Sequence, residues 1–109
     1  MKKFIVFGYA SLEKHDPSLE PSQEERQGIY AQWGVWQKEM GDLLVSMGSP
    51  LINGVAIEAK GLKEDKVSDL LGYMIVKATD KYHALELLNK SPLFGMGHGQ
   101  RYELFECIM

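Results

Sequence analysis

Two apolar segments, residues 4–9 and 70–78, carry hydrophobic side chains on both alternating faces and are rich in β-branched and aromatic residues. This pattern is typical of central strands that are buried on two sides. We therefore predict two central strands in these segments. Two further strands are predicted at residues 55–59 and 100–109, and a charged turn follows the first of them.

A long helix is predicted between the first and second strands. Ser22 and Glu25 fit the Ser-x-x-Glu capping box that satisfies backbone N–H groups at a helix start. Apolar residues then recur every three or four positions, and Gly48 with Pro50 provides the stop. The apolar stripe consists of Ile29, Trp33, Trp36, Met40, Leu43, Leu44 and Met47.

A shorter helix is predicted between the third and fourth strands, with Asp80 as its cap and Ala84, Leu85 and Leu88 as its apolar positions. The resulting order is β-α-β-β-α-β, over one domain that spans residues 1–109. This order is typical of an α+β, ferredoxin-like fold, in which a four-stranded antiparallel sheet carries two helices on one face.

The other face of the predicted sheet has no helix to cover it. If the helices cover the side that carries Val55, Ile57, Met74, Val76, Tyr102 and Leu104, alternation assigns a second set to the uncovered side. That set is Glu58, Tyr73, Ile75, Arg101, Glu103 and Phe105. It is half apolar, and a soluble monomer rarely exposes so large an apolar patch. We therefore predict a homodimer that buries this face.

Composition narrows the class of partner and the cell compartment. The chain has 109 residues, of which 45% are hydrophobic and 25% charged, as in ordinary globular proteins. Its net charge of −3 disfavours nucleic acid as a partner. A single cysteine excludes an intrachain disulfide and favours the cytoplasm. No apolar run approaches the about 18 residues needed to span a bilayer, so no membrane partner is expected.

Several short motifs resemble one known family. They are Trp33-Gly34-Val35-Trp36, Met40-Gly41-Asp42, Val45-Ser46-Met47-Gly48-Ser49-Pro50-Leu51, Gly72-Tyr73, Ala84-Leu85-Glu86-Leu87 and Ser91-Pro92. In this order and spacing the chain resembles the YCII-related domain family, also called the DGPF-domain family, over nearly its whole length. The resemblance implies a ferredoxin-like protomer and a dimeric α/β barrel, in a superfamily that includes muconolactone isomerase and cofactor-free monooxygenases.

The chain departs from that family at two positions. Some members carry a histidine on the first helix and an aspartate just before the proline that follows the second helix. Ala31 stands near the histidine position, and Ser91 precedes Pro92 where the aspartate is expected. The family's histidine–acid pair is therefore not transferred to this chain, since neither titrating group is present.

The predicted uncovered face holds the main candidate site. Apolar walls with a few convergent polar groups are what a small-molecule site requires. Arg101 is suited to bind a carboxylate, and a desolvated Glu103 to act as a base, with Glu58 and Tyr73 beside them. The alternative interpretation is that Arg101 and Glu103 form a structural ion pair within a dimer interface.

Other candidates are weaker. His98 lies in a glycine-rich loop and is the best-placed group that titrates near neutral pH, although an unpartnered loop histidine is the commoner case. His83 and His15 are expected to face solvent. Cys107 is expected to be a small hydrophobic residue, because no basic neighbour lowers its pKa. Neither metal-ligand spacing nor a phosphate-binding loop occurs, so no metal or other cofactor is expected.

Two functions from different classes remain open. One is a cofactor-independent isomerase, lyase or oxygenase that acts on a small organic acid. The other is a non-catalytic ligand-binding or accessory dimer, which the missing histidine–acid pair favours. Fold alone does not decide between them.

Overall fold

The computed structural model of the protein describes residues 1–10, 22–62, 68–93 and 100–109. Its elements are β1 (Lys2–Ala10), α1 (Gln23–Met40), β2 (Leu44–Pro50), β3 (Ile57–Glu58), β4 (Gly61–Leu62), β5 (Leu70–Ala78), α2 (Lys81–Asn89) and β6 (Gln100–Cys107). A short 3-10 turn, Gly41–Leu43, joins α1 to β2. Neither helix in these ranges is long and apolar enough to cross a membrane.

The main sheet has four strands in the order β2-β5-β1-β6, and every neighbouring pair is antiparallel. The two apolar segments predicted as central strands are β1 and β5, and they pair with each other along most of their length. Together with two helices, this order is that of a ferredoxin-like fold. The predicted fold class is confirmed.

Both predicted helix starts are confirmed by their caps. The Ser22 side chain accepts a hydrogen bond from the Glu25 backbone N–H at 3.2 Å. The Asp80 carboxylate accepts from the His83 backbone N–H at 2.8 Å. In both helices a short polar side chain therefore replaces the backbone carbonyl that the first turn lacks.

The predicted end of α1 was wrong. The helix stops at Met40, and Gly41 adopts a φ of 53°, a left-handed conformation that glycine accepts without steric cost. Residues 44–50 then pair with β5 as a strand. The helical spacing of Leu43, Leu44 and Met47 did not decide the structure, because pairing with β5 satisfies the backbone of this segment in another way.

The predicted second strand at residues 55–59 was also wrong. Within this segment only Ile57–Glu58 is extended, and it pairs with Gly61–Leu62 in a separate two-stranded hairpin. Val55 and Ile57 are exposed rather than packed under the helices. The fourth position of the sheet is occupied by β2, so residues 51–62 lie outside it.

The hydrophobic core lies between the sheet and both helices. We call this side of the sheet the covered face, and its residues in the core are Phe4, Val6, Met74, Val76 and Ala78. Trp36 and Met40 of α1, Ala84 and Leu88 of α2, and Leu93 beyond α2 complete the core among the described residues. The Trp36 indole Nε1–H donates to the Leu87 carbonyl at 2.9 Å, which joins the two helices to each other.

The opposite side of the sheet, the open face, has no helix against it in the described part of the chain. Strand register places on it Lys3, Ile5, Phe7, Tyr9, Tyr73, Ile75, Lys77, Arg101, Glu103, Phe105 and Cys107. The prediction was correct for the residues of β5 and β6 and wrong for Glu58, which lies in β3. Phe7 and Phe105 pack edge to face on the open face, with ring centroids 6.0 Å apart.

Candidate ligand-binding site

Two glycines in adjacent central strands leave a gap in the covered face. Gly8 of β1 and Gly72 of β5 are directly opposite each other in the antiparallel register. Neither has a side chain, and other groups partly fill the gap: the Tyr102 ring lies over Gly8, and the Ser49 carbonyl approaches Gly72. The gap lies toward the end of the strands, beyond the packed core residues Val6 and Met74.

A cavity of about 420 Å³ occupies this gap. Val6, Gly8, Gly72 and Met74 of the central strands line it, and Trp33 of α1 lies on its helix side. Further contributions come from Met47, Ser49 and Pro50 of β2, from Leu93, and from Tyr102, Tyr9, Leu71 and Tyr73. A concave, mostly apolar cavity of this size is typical of small-molecule sites.

Tyr102 is the anchored polar group of the cavity. Its ring lies against Gly8, where an added Cβ would come within 3.0 Å of the ring atom Cε1. Its hydroxyl donates to the Leu93 carbonyl at 2.7 Å. Burial raises the pKa of Tyr102 above the ordinary value of 10.0, because the phenolate loses its hydration there. At neutral pH the Tyr102 side chain is therefore uncharged, and its hydrogen bond to Leu93 fixes it in the cavity wall.

A bulge in β2 shapes the edge of the cavity. The pairing of β2 with β5 shifts register between Ser46 and Ser49. Gly48, at a φ of 66°, lies in this shift, and its backbone N–H donates to the Ser46 hydroxyl at 2.9 Å. A Cβ at Gly48 would overlap the carbonyl oxygen of Tyr73. Only glycine therefore fits this close approach of β2 to β5.

The open face carries a separate polar cluster of Tyr9, Arg101 and Glu103. The Arg101 guanidinium is 3.0 Å from the Glu103 carboxylate and lies 4.7 Å from the centroid of the Tyr9 ring. The pKa of Tyr9 is raised above its ordinary value, mainly by desolvation and then by a hydrogen bond to Glu103 and the negative charge of Glu103. The positive charge of Arg101 opposes this shift. The positive charge of Arg101 is thus already compensated within the chain.

The structure separates the residues that were predicted to form one site. Arg101 and Glu103 are in contact on the open face, and neither lines the cavity. Tyr73 lines the cavity, beside Gly72. Glu58 is in β3, outside the main sheet, so its predicted place beside Tyr73 was wrong. His98 and His15 lie outside the described residues.

Two other expectations concern single side chains. His83 is half-buried rather than solvent-facing, and its Nδ1 accepts a hydrogen bond from the Thr79 backbone N–H at 3.0 Å. Cys107 is half-buried with a free thiol. Within the described ranges no three histidine, cysteine or acidic side chains are grouped so that they could hold a metal ion.

The sequence pattern did not predict Gly8, Gly72 and Tyr102 as cavity residues, whereas Trp33 was a candidate for lining a cleft and lies at the cavity. A signal was present, because both central strands contain a large hydrophobic residue followed by Gly-Tyr, at residues 7–9 and 71–73. A glycine inside a central strand indicates a bulge or a place where another group approaches the backbone. Two such glycines become a cavity only when the register sets them opposite each other.

No protein-family model matches the chain. No curated protein matches it either. Among solved structures the chain is similar to 5-chloro-2-hydroxyhydroquinone dehydrochlorinase from Burkholderia phenoliruptrix AC1100, solved in complex with 2,5-dihydroxybenzoquinone. The TM-score is 0.50 at 15% identity, and the match covers 93% of this chain and 90% of that one. At this identity the likeness shows a shared fold.

The chain also matches a protein of unknown function from Rhodopseudomonas palustris. That match has a TM-score of 0.45 at 11% identity and covers 99% of this chain and 84% of the other.

Proposed function

We propose that the protein binds a small, uncharged, largely apolar molecule in the cavity between α1 and the covered face. The observation that carries this proposal is the mostly apolar cavity of about 420 Å³ that opens beside Gly8 and Gly72, next to the packed core. An apolar space bordered by hydroxyl groups is suited to a ligand.

The walls favour a planar, ring-shaped ligand. Trp33 and Tyr102 provide aromatic surfaces at the lining. Aromatic side chains bind rings by stacked or edge-to-face contacts. The dehydrochlorinase of similar fold was solved with 2,5-dihydroxybenzoquinone, itself a single planar ring, and this precedent supports a ligand of that shape.

The uncharged lining of the cavity favours an uncharged ligand over an organic acid. Among the described residues that line the cavity, none carries a charge at neutral pH. A carboxylate there would lose its hydration without a compensating cation. The other acid-binding candidate, Arg101, already contacts Glu103 at 3.0 Å, so a ligand carboxylate there would lie beside an existing negative charge. This supports a structural role for the pair.

The same lining favours binding over catalysis. General acid–base catalysis needs a group whose pKa lies near the operating pH. The described lining offers only tyrosines as titratable groups, and the pKa values of Tyr102 and Tyr9 are raised further away from neutrality. A cofactor-independent isomerase, lyase or oxygenase remains the second candidate, and turnover of a bound ligand would establish it.

The ligand proposal is tested with two probes of matched shape, benzamide and benzoate. We expect benzamide to shift the backbone amide resonances of Gly8 and Gly72 in NMR titrations and benzoate to shift them far less. Trp33→Ala should weaken benzamide binding by about two- to tenfold, the scale of one lost aromatic contact. Tyr30→Ala, at an exposed position of the same helix, is the control.

Stronger binding of benzoate than of benzamide would contradict the proposal. If that binding also fell by about 1.5–3 kcal/mol in Arg101→Ala, the scale of a charge-assisted hydrogen bond, the organic-acid site on the open face would replace the cavity.

We also propose that the protein is a homodimer of the YCII-related type, with the Tyr73, Ile75 and Phe105 face at or beside the interface. The support is the apolar open face, where Phe105 remains 53% exposed. Phe105→Asp should shift the protein toward monomer or aggregate, because it would bury an unpaired charge. A wild-type protein that light scattering shows to be monomeric at micromolar concentration would exclude the dimer.

A further inference from the structure

The aromatic wall on the helix side of the cavity belongs to a pair of indole rings. Trp33 lines the cavity and Trp36 does not. The two residues are three positions apart on α1, so their side chains are neighbours on one face of the helix. The ring centroids are 5.5 Å apart and the ring planes meet at 85°, an edge-to-face contact. The ring that borders the cavity is therefore packed against a ring that does not.

Trp36 is the fixed member of this pair. It is 2% exposed, whereas Trp33 is half-buried at the cavity. The Trp36 indole Nε1–H donates to the Leu87 carbonyl at 2.9 Å. A buried indole N–H without an acceptor costs free energy, so this bond selects one orientation of the ring. Trp33 packs against that ring and takes its own orientation from it.

The acceptor of this bond belongs to the end of α2. Leu87 lies in the last turn of the helix, where backbone carbonyls lack the N–H of a following turn. Its carbonyl accepts the Lys90 backbone N–H at 3.3 Å as well as the Trp36 indole N–H. Both bonds form together because a carbonyl oxygen has two lone pairs. The end of α2 thus provides an acceptor for a side chain of α1.

The same end of the helix holds a second aromatic wall of the cavity. The chain continues from α2 to Leu93, which is buried, and the Leu93 carbonyl accepts the Tyr102 hydroxyl at 2.7 Å. Trp33 is thus tied to residues 87–93 through Trp36, and Tyr102 is tied to them directly. The relative placement of the two rings depends on this one short segment.

We propose that Trp36 is a positioning residue of the cavity, which fixes the orientation of Trp33 through its hydrogen bond to Leu87. This inference rests on the proposed function, since it concerns the binding of an aromatic ligand beside Trp33. Trp36 contributes to affinity without touching the ligand. The bond at the end of α2 thereby controls binding in a cavity that neither Trp36 nor Leu87 lines.

The first test removes the hydrogen bond and keeps the ring. Benzothienylalanine, placed at position 36 alone, has a sulfur atom where Trp36 has its N–H group and is of nearly the same size. It should weaken benzamide binding by about two- to tenfold, the range expected for loss of the Trp33 contact. NMR titration of the Gly8 and Gly72 amides measures the affinity. Val76→Ala, a core change outside the cavity lining, is the control and should leave the affinity unchanged.

The second test asks whether Trp36 acts through Trp33. In the Trp33→Ala background the replacement at position 36 should leave benzamide affinity unchanged, because the ring that Trp36 positions is absent. The double-mutant cycle then gives an interaction as large as the single effect. A role of Trp36 in general stability alone would weaken binding equally in both backgrounds, and that result would overturn the inference.

The third test measures the same coupling from the side of the hydrogen bond. Linkage requires that a bond which favours the ligand is favoured by the ligand to the same extent. Saturating benzamide should slow hydrogen exchange of the Trp36 indole N–H by about two- to tenfold. The control is the Ala84 backbone N–H, which donates to the Asp80 carbonyl at 3.0 Å at the other end of α2. Equal slowing at both sites, or none at either, contradicts the coupling.

The outcomes separate this inference from the proposed function. Benzamide binding that depends on Trp33 but is unchanged by the replacement at position 36 overturns the positioning role and leaves the ligand site standing. Wild-type protein that does not bind benzamide at the cavity removes both.

Discussion

The two faces of the main sheet are built from alternate residues of the same strands, yet they differ in what covers them. On the covered face Phe4 and Val6 are almost fully buried by the helices. On the open face Ile5 and Phe7 are half-buried, by neighbouring side chains of the sheet itself. Both faces are apolar. The strands are therefore patterned for burial on two sides, while the helices supply cover for one.

The covered face is itself divided. Around Val76 and Ala78 it is closely packed by α1 and α2. At Gly8 and Gly72 it opens into the cavity. The closely packed core and the cavity therefore lie at different positions along the same two strands.

The largest expected effect compares one phenylalanine on each face. Phe4 is 2% exposed and Phe105 is 53% exposed. Phe4→Ala should lower the free energy of unfolding by about 3–5 kcal/mol, since it leaves a cavity in the core. Phe105→Ala should lower the free energy of unfolding of the monomer by under about 1 kcal/mol, the usual scale for surface positions. Urea unfolding at several protein concentrations measures both.

Equal effects of the two substitutions in dilute, monomeric protein would contradict the distinction between the faces. A Phe105→Ala effect that grows with protein concentration would instead locate its contribution in the dimer.

The second prediction concerns the bulge that keeps β2 on the sheet beside the cavity. Gly48→Ala should destabilise the protein by about 2–4 kcal/mol, because a Cβ would overlap the Tyr73 carbonyl and the φ of 66° disfavours other residues. Gly28→Ala is the matched control, because a Cβ on this helical residue contacts nothing within 4 Å. It should stabilise α1 by up to about 1 kcal/mol.

Thermal unfolding of both variants gives the comparison. A Gly48→Ala protein as stable as the wild type would show that the bulge is not needed in this form.

The third prediction uses one tyrosine on each face. The pKa of Tyr102 is raised by burial, so its contribution to stability is complete below the unfolded value of 10.0 and is lost as pH rises through the higher folded value. Tyr9 has a raised pKa as well, through desolvation and Glu103, and acts in the same direction. Stability should therefore fall above pH 10, as measured by urea unfolding at alkaline pH.

Tyr102→Phe should reduce this alkaline fall. It should also cost about 1 kcal/mol at neutral pH through the lost hydrogen bond to Leu93. Tyr30→Phe, at an exposed position of α1, is the control. An alkaline profile that neither Tyr102→Phe nor Tyr9→Phe alters would refute the assignment.

The smallest expected effect is that of the ion pair on the open face. Arg101 and Glu103 are 60% and 37% exposed, so their attraction is screened by water and salt. Arg101→Met should change the free energy of unfolding of the monomer by under about 1 kcal/mol, less at high salt. A larger, salt-independent loss would indicate that the pair is desolvated, as burial in a dimer would make it.

Local pattern was sufficient for several elements. The apolar segments at residues 4–9 and 70–78 indicated β1 and β5, and the polar residues Ser22 and Asp80 indicated the helix starts. These features depend on neighbours within a few positions, because caps and strand burial are local in sequence. The order β-α-β-β-α-β followed from them, even though the second strand was placed at the wrong residues.

The tertiary structure decided where α1 ends and which residues form the cavity. Leu44 and Met47 continue a helical spacing, and their conversion to a strand depends on β5, which lies more than twenty residues along the chain. The cavity likewise depends on the register that sets Gly8 opposite Gly72. Sequence alone determined which segments are apolar and how their ends are capped. Strand pairing and register depend on backbone hydrogen bonds and buried contacts between residues that are distant in sequence. They are therefore fixed only in the folded chain.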